Sequence, residues 1–147
     1  MSAAQSLTQE QPLTGVDHSE PAPMIPISWG ELFDKITILE LKSERLHCPR
    51  QLTNVRLELK ELHRVRDRYG RREPAVEALA GELRIVNERL WDLENTLRAL
   101  ENAQRFSSEF VEAARGVYRT NDVRSSIKRR INELTRCRLV EEKSYAV

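Results

Sequence analysis

Cysteine is scarce: two residues, Cys48 and Cys137, far apart and sharing no CxxC or Cys/His spacing. That excludes a disulfide scaffold and points to a reducing compartment. Aromatic residues make up only 5 % of the 147 and glycines number five. A Gly-rich phosphate loop, a GxSxG elbow and stacking platforms for single-stranded nucleic acid are all missing. No apolar run approaches membrane-spanning length. The start, "MSAAQSLTQEQPLTG", has neither a basic n-region nor an apolar h-region, so it does not read as a signal peptide. The expectation is a cytoplasmic protein without membrane insertion.

What the chain does have is charge. Charged residues are 32 % and hydrophobic ones 39 %, with a net charge of +1. This balance suits long helices with narrow apolar seams. The charge is unevenly spread. Glu10, Asp17, Glu20, Glu31 and Asp34 precede the first basic residue, Lys35, whereas Arg115 to Arg138 holds eight basic residues against Asp122 and Glu133. Such asymmetry bears on partners more than the total does.

The fold class expected is all-α. Residues 1–26 are polar and broken by Pro12, Pro21, Pro23 and Pro26, which reads as a disordered arm. Residues 27–147 form one helical domain. In its first helix Ser28 and Glu31 make a capping box, with Ile27 and Leu32 as a hydrophobic staple. Trp29, Leu32, Phe33, Ile36, Leu39 and Leu46 share a face; Ile38 and Leu41 fall elsewhere. A helix apolar on two sides is central or lies between subunits. Pro49 kinks or breaks the pattern, which resumes with Leu52, Val55, Leu59 and Leu62. "YGRREP" is a turn, with Gly70 as a cap and Pro74 in the next first turn. Val76, Leu79, Leu83, Val86, Leu90, Leu93, Leu97 and Leu100 then alternate three and four apart, a coiled-coil seam. The short turn predicts an antiparallel hairpin of the helices flanking it, with the N- and C-terminal helices packed on it. A short helix from Ser107 and a last helix capped by Thr120 or Asn121 complete the pattern; the tail "RLVEEKSYAV" has no helical period.

Two features carry candidate chemistry. On the last helix Val123, Ile127, Ile131 and Leu134 are expected inward, and Asn121, Arg124, Lys128 and Asn132 form a stripe beside them. Arg124 and Lys128, four apart, repel on an exposed helix by about 0.2–0.5 kcal/mol. An anion or a facing carboxylate would reverse that sign, and Asn121 at a helix N-terminus would add free N–H groups. The bland alternative is a solvated basic face. On the first helix Glu40 falls inside the apolar face, where an unpaired carboxylate costs several kcal/mol. Arg119, Arg124 or Lys128 are its expected partners; otherwise Glu40 reaches water at the core's edge. The basic turn, Arg64 to Arg72, reads as a solvated end or a phosphate contact. Glu88, Asp92 and Glu94 could suggest a metal-dependent phosphohydrolase, but helical hairpins carry such carboxylates routinely, as in Glu94 with Arg98. No metal or cofactor is assigned.

"ISWGELFDKITILELKSERL", "NERLWDLENTLRALENAQRFSSEFVEAARGVYRTNDVRSSIKRRINEL" and "LVEEKSYAV" resemble a small bacterial domain family of unknown function. Its members share D-K-I-T-I-L-E-x-K, Y-R-T-N-D and E-E-K-S-Y segments. Carried onto this chain, the marks are Asp34, Lys35, Glu40 and Lys42, then Tyr118, Arg119, Asn121, Asp122, Arg124 and Lys128, then Glu141, Glu142, Lys143 and Tyr145. "TRCRLVEEK" departs from the "TGS"-like turn the family leads one to expect before the tail. The resemblance implies a helical, cytosolic protein from bacterial surface-polysaccharide and glycosyltransferase neighbourhoods.

Together these readings predict a polar, anion-accepting site of Asp34, Lys35, Glu40, Tyr118, Arg119, Asn121, Asp122, Arg124 and Lys128. The leading expectation is a non-catalytic binding or assembly module that pairs with itself or another protein, or takes a phosphate-bearing small molecule. The alternatives are a small enzyme acting on a phosphorylated or nucleotide-sugar substrate, with Glu40 or Asp34 as acid or base, and, third, a nucleic-acid-binding protein.

Overall fold

The computed structural model describes residues 21–144. Residues 1–20 of the expected arm lie outside them, as does Tyr145; residues 21–26 carry no regular element. Four helices follow: α1 Trp29–Arg45, α2 Pro49–Arg68, α3 Pro74–Asn102 and α4 Ser108–Leu134. Among the described residues there is no strand.

Local chemistry sets the boundaries. Ser28 accepts a hydrogen bond from the Glu31 amide at 3.1 Å and caps α1. Pro49 breaks rather than kinks the chain, standing at the start of α2, where its missing N–H costs nothing. Gly70 takes φ 64° in the turn after α2. Pro74 opens α3.

The seam of α3 is buried as its spacing predicts. Val76, Leu79, Leu83, Leu90 and Leu100 are buried, and Val86, Leu93 and Leu97 are half-buried. Its partner differs from expectation. The packed antiparallel hairpin is α3–α4: Glu82 near the start of α3 meets Arg130 near the end of α4, and Leu93 packs on Gly116. α2 and α3 have no Cα pair within 8 Å, whereas α1 packs on α2, α3 and α4. The physical reason lies in the apolar surfaces. α2 buries only Val55, and its narrow seam is covered by one neighbour. α1 is apolar on two sides and holds the central place, separating α2 from α3. The core at the α1–α3–α4 junction is Phe33, Val76, Leu79, Leu83, Ile127 and Ile131, flanked by Trp29, Ala80 and Val86.

The chain from Ser108 to Leu134 is one unbroken helix, not two. Its face is also rotated from expectation. Val123 and Leu134 are 51 % and 54 % exposed, while Thr120, Ile127, Lys128, Ile131 and Asn132 are buried. Ile127 and Ile131 face inward as expected, and the polar stripe lies beside them against α1.

Candidate functional site

The α1–α4 crossing begins at Gly30. A Cβ there would stand 2.9 Å from the Lys128 Cα and closer still to its carbonyl oxygen, so only glycine lets α4 come this near. The Gly30 amide donates to Asn132 Oδ1 at 2.7 Å. One turn along α1 Asp34 then faces Arg124. Asp34 is 1 % exposed. Its carboxylate accepts from Arg124 Nε at 2.9 Å and Nη2 at 2.5 Å, and from Asn87 Nδ2 at 2.9 Å. Asn87 Nδ2 also lies 3.0 Å from Thr37 Oγ1, which donates to the Asp34 carbonyl at 2.9 Å. This is the bidentate geometry that makes a buried arginine–carboxylate pair strong. The hydrogen bond to Asp34, ahead of the opposing effect of burial, holds the Arg124 pKa above its ordinary value.

Lys128 forms the second cross-link. Its ammonium sits 2.8 Å from Glu31 and 3.1 Å from Glu141. Burial alone would lower its pKa; bonding to the two carboxylates outweighs that and raises it. Glu31 therefore turns to Lys128, leaving the capping box half-made. Asn132 Nδ2 is buried without a hydrogen-bond partner.

The site differs from expectation at several positions. Glu40 does not meet Arg119, Arg124 or Lys128. It lies 3.5 Å from His63 Nε2, in poor hydrogen-bond geometry, and 3.7 Å from Arg84. It points toward α2 and α3 because α1 is flanked on that side too. Lys35 faces Glu58 of α2 at 3.5 Å and is largely exposed. Arg119 is exposed, its guanidinium 5.8 Å from the Tyr118 ring centroid. Asp122 is exposed and holds Lys143 at 2.8 Å. Asn121 is internal to α4, so it offers no helix-terminal N–H groups.

Four expected residues do converge on open space. Tyr118, Asn121, Arg124 and Lys128, with Val117, Ser125, Glu141 and Lys143, line a cavity of about 360 Å³ beneath the tail. Arg129 pins that tail by donating to the Glu141 carbonyl at 3.0 Å and to Glu142 at 2.8 Å. Sequence reasoning left Gly30, Thr37, Asn87 and Glu141 out of the site. Asn87 stands beside Val86 in the α3 seam, a polar residue in an apolar stretch, and that was the available signal. Among the described residues no group of three His, Cys, Asp or Glu is placed to hold a metal ion.

The class defined by this architecture is an all-helical domain whose central helix is pinned to the last by a buried aspartate with its arginine and by a half-buried lysine–glutamate pair. The chain belongs to a family of unknown function, DUF6165, whose model matches residues 24–147. No curated protein and no solved structure matches it.

Proposed function

We propose that this chain is a non-catalytic helical binding module that takes a small anion-bearing ligand into the cavity between α4 and the C-terminal tail. The observation that carries the reading is the lining itself. Arg124, Lys128 and Lys143 face one carboxylate, Glu141, with Tyr118, Asn121 and Ser125 adding hydrogen-bonding groups. Seven polar side chains converging on one cavity, three of them cationic, suit a charged, hydrogen-bonding ligand. Glu141 occupies the place an incoming phosphate oxygen would take, within reach of Lys128 at 3.1 Å and Ser125 Oγ at 3.5 Å. The resemblance to a family from polysaccharide neighbourhoods puts sugar nucleotides among the ligands to test. The same reading allows assembly with a second copy or another protein.

The enzyme alternative required Asp34 or Glu40 to act at the bound anion. Asp34 is committed to three donors, and Glu40 stands with His63 and Arg84 instead. The nucleic-acid alternative calls on the cations of the α2–α3 turn and of the last helix, where Arg124 binds Asp34 and Lys128 binds Glu31 and Glu141. At the turn Arg66 and Arg72 bind Asp67, and Arg71 binds Glu73.

The test is a thermal-shift screen against inorganic phosphate, nucleotides and sugar nucleotides. A ligand of the folded state raises Tm, by linkage. Lys143→Ala and Tyr118→Phe should abolish the shift while leaving the unliganded Tm close to wild type. Arg124→Ala is the wrong probe, since it strips the partner from buried Asp34. A panel in which nothing raises Tm would sink the reading.

A further inference from the structure

A second cavity, of about 370 Å³, lies among α1, α3 and α4 and shares Asn121 and Arg124 with the first. Its character differs. Ile38, Leu41, Leu90 and Trp91 give it an apolar floor and one aromatic wall. Trp91 is held in place from outside: the Arg45 guanidinium lies 5.8 Å from its ring centroid and is itself anchored by Glu88 and Asp92. Asn87 and Arg124 form part of the lining and are fixed by Asp34. Preorganised walls of this kind bind without the cost of ordering themselves.

The rim carries donors that the protein does not use. The side chains of Lys42 and Asn95 and the amide nitrogen of Asn121 have no hydrogen-bond or ion-pair partner among the described residues. Arg98 has only a long pair with Glu94, at 3.5 Å, and is 77 % exposed. An unpaired lysine beside an apolar floor suits a ligand that joins one anionic group to one flat hydrophobic group, since the cation gives a charge-assisted hydrogen bond and the floor buries the apolar part.

We propose that this cavity binds an aromatic anion, with its ring against Trp91, Leu41 and Leu90 and its phosphate or carboxylate on Lys42 and Arg98. The site adjoins the tail cavity at Asn121 and Arg124, but its ligand contacts on Lys42, Arg98 and Trp91 do not depend on that reading.

Phenyl phosphate tests it, with inorganic phosphate and phenol as the two half-ligands. Trp29→Phe leaves Trp91 as the single tryptophan reporter; should that variant lose its cooperative melt, the Trp91 indole N–H resonance of the wild type gives the same readout. Phenyl phosphate should change the Trp91 signal saturably, and each half-ligand should bind at least about tenfold more weakly. Lys42→Ala should weaken phenyl phosphate by about tenfold, Lys42→Arg should restore most of it, and Lys143→Ala should have no effect. The proposal is overturned by an unchanged Trp91 signal, or by a response that Lys143→Ala removes and Lys42→Ala does not. That last result would move the ligand to the tail cavity and leave the proposed function standing.

Discussion

Asp34 is the residue on which the α1–α4 contact turns. Removing one member of a buried ion pair strands the other, which typically costs more than the pair itself contributes. Asp34→Asn should therefore lower unfolding stability by about 3 kcal/mol in urea titration, the partial exposure of Arg124 keeping it from the top of the usual range. Arg124→Ala should cost a similar amount, and the double variant should cost much less than the two summed, because the residues share one interaction. Additive losses would mean that the pair is incidental. Lys128 makes a claim about pH. Its folded pKa is raised above 10.5, so its stabilising contribution is complete below the unfolded value and is lost as pH climbs through the folded one. Lys128→Met should cost about 1 kcal/mol near neutrality, a modest figure because Glu31 reaches water. The gap in urea midpoint between wild type and variant should close above about pH 10.5. A gap that widened instead would mean that Lys128 is held by packing.

At the scale of helices, periodicity was the legible signal and partnership was not. The eight-residue seam of α3, the Ser28 cap, the Pro49 and Pro74 starts and the two-sided α1 all follow from residue spacing and cap chemistry. Which helix covers which seam depends on how much apolar surface each offers, and α2 offers little beyond Val55. The break expected near Thr120 came from treating "TND" as a cap. Those residues are indifferent helix formers by propensity, and burial of Thr120 against the rest of the fold overrides that preference. Likewise the facing carboxylate expected for Arg124 or Lys128 was assigned to Glu40, because the true partners, Asp34, Glu31 and Glu141, are distant in sequence or carried on an aperiodic tail. Gly30 shows where one helix depends on another. Gly30→Ala would normally favour a helix, by up to about 1 kcal/mol. Here its Cβ meets Lys128 backbone, which cannot yield as a side chain would. The expected result is a net destabilisation of about 1–3 kcal/mol and loss of the Asn132 hydrogen bond, seen in the urea midpoint and in the backbone amide shift at position 30. A more stable variant would show that α4 can move away at little cost.

Across the whole molecule the packing is unequal, and that inequality has dynamic consequences. α1, α3 and α4 share one core, whereas α2 touches α1 alone. Its inward residues are few, and Leu57 and Val65 are exposed. The polar contacts joining it to α1, the Lys35–Glu58 ion pair and the approach of His63 to Glu40, are both long and partly solvated, so each adds well under about 1 kcal/mol. Local openings draw on the least-packed units first. Amide hydrogen exchange should therefore show α2 opening as a unit at a free energy well below that of α3 and α4. Val55→Ala should lower protection throughout α2 while leaving the α3–α4 amides near their wild-type rates. Leu83→Ala, at a fully buried position, should cost about 2–5 kcal/mol and lower protection in every helix. If a second copy covers the exposed side of α2, its protection will rise with protein concentration, and sedimentation will show a dimer over the same range. Protection that is uniform across all four helices and independent of concentration would contradict both the two-tier packing and self-association through α2.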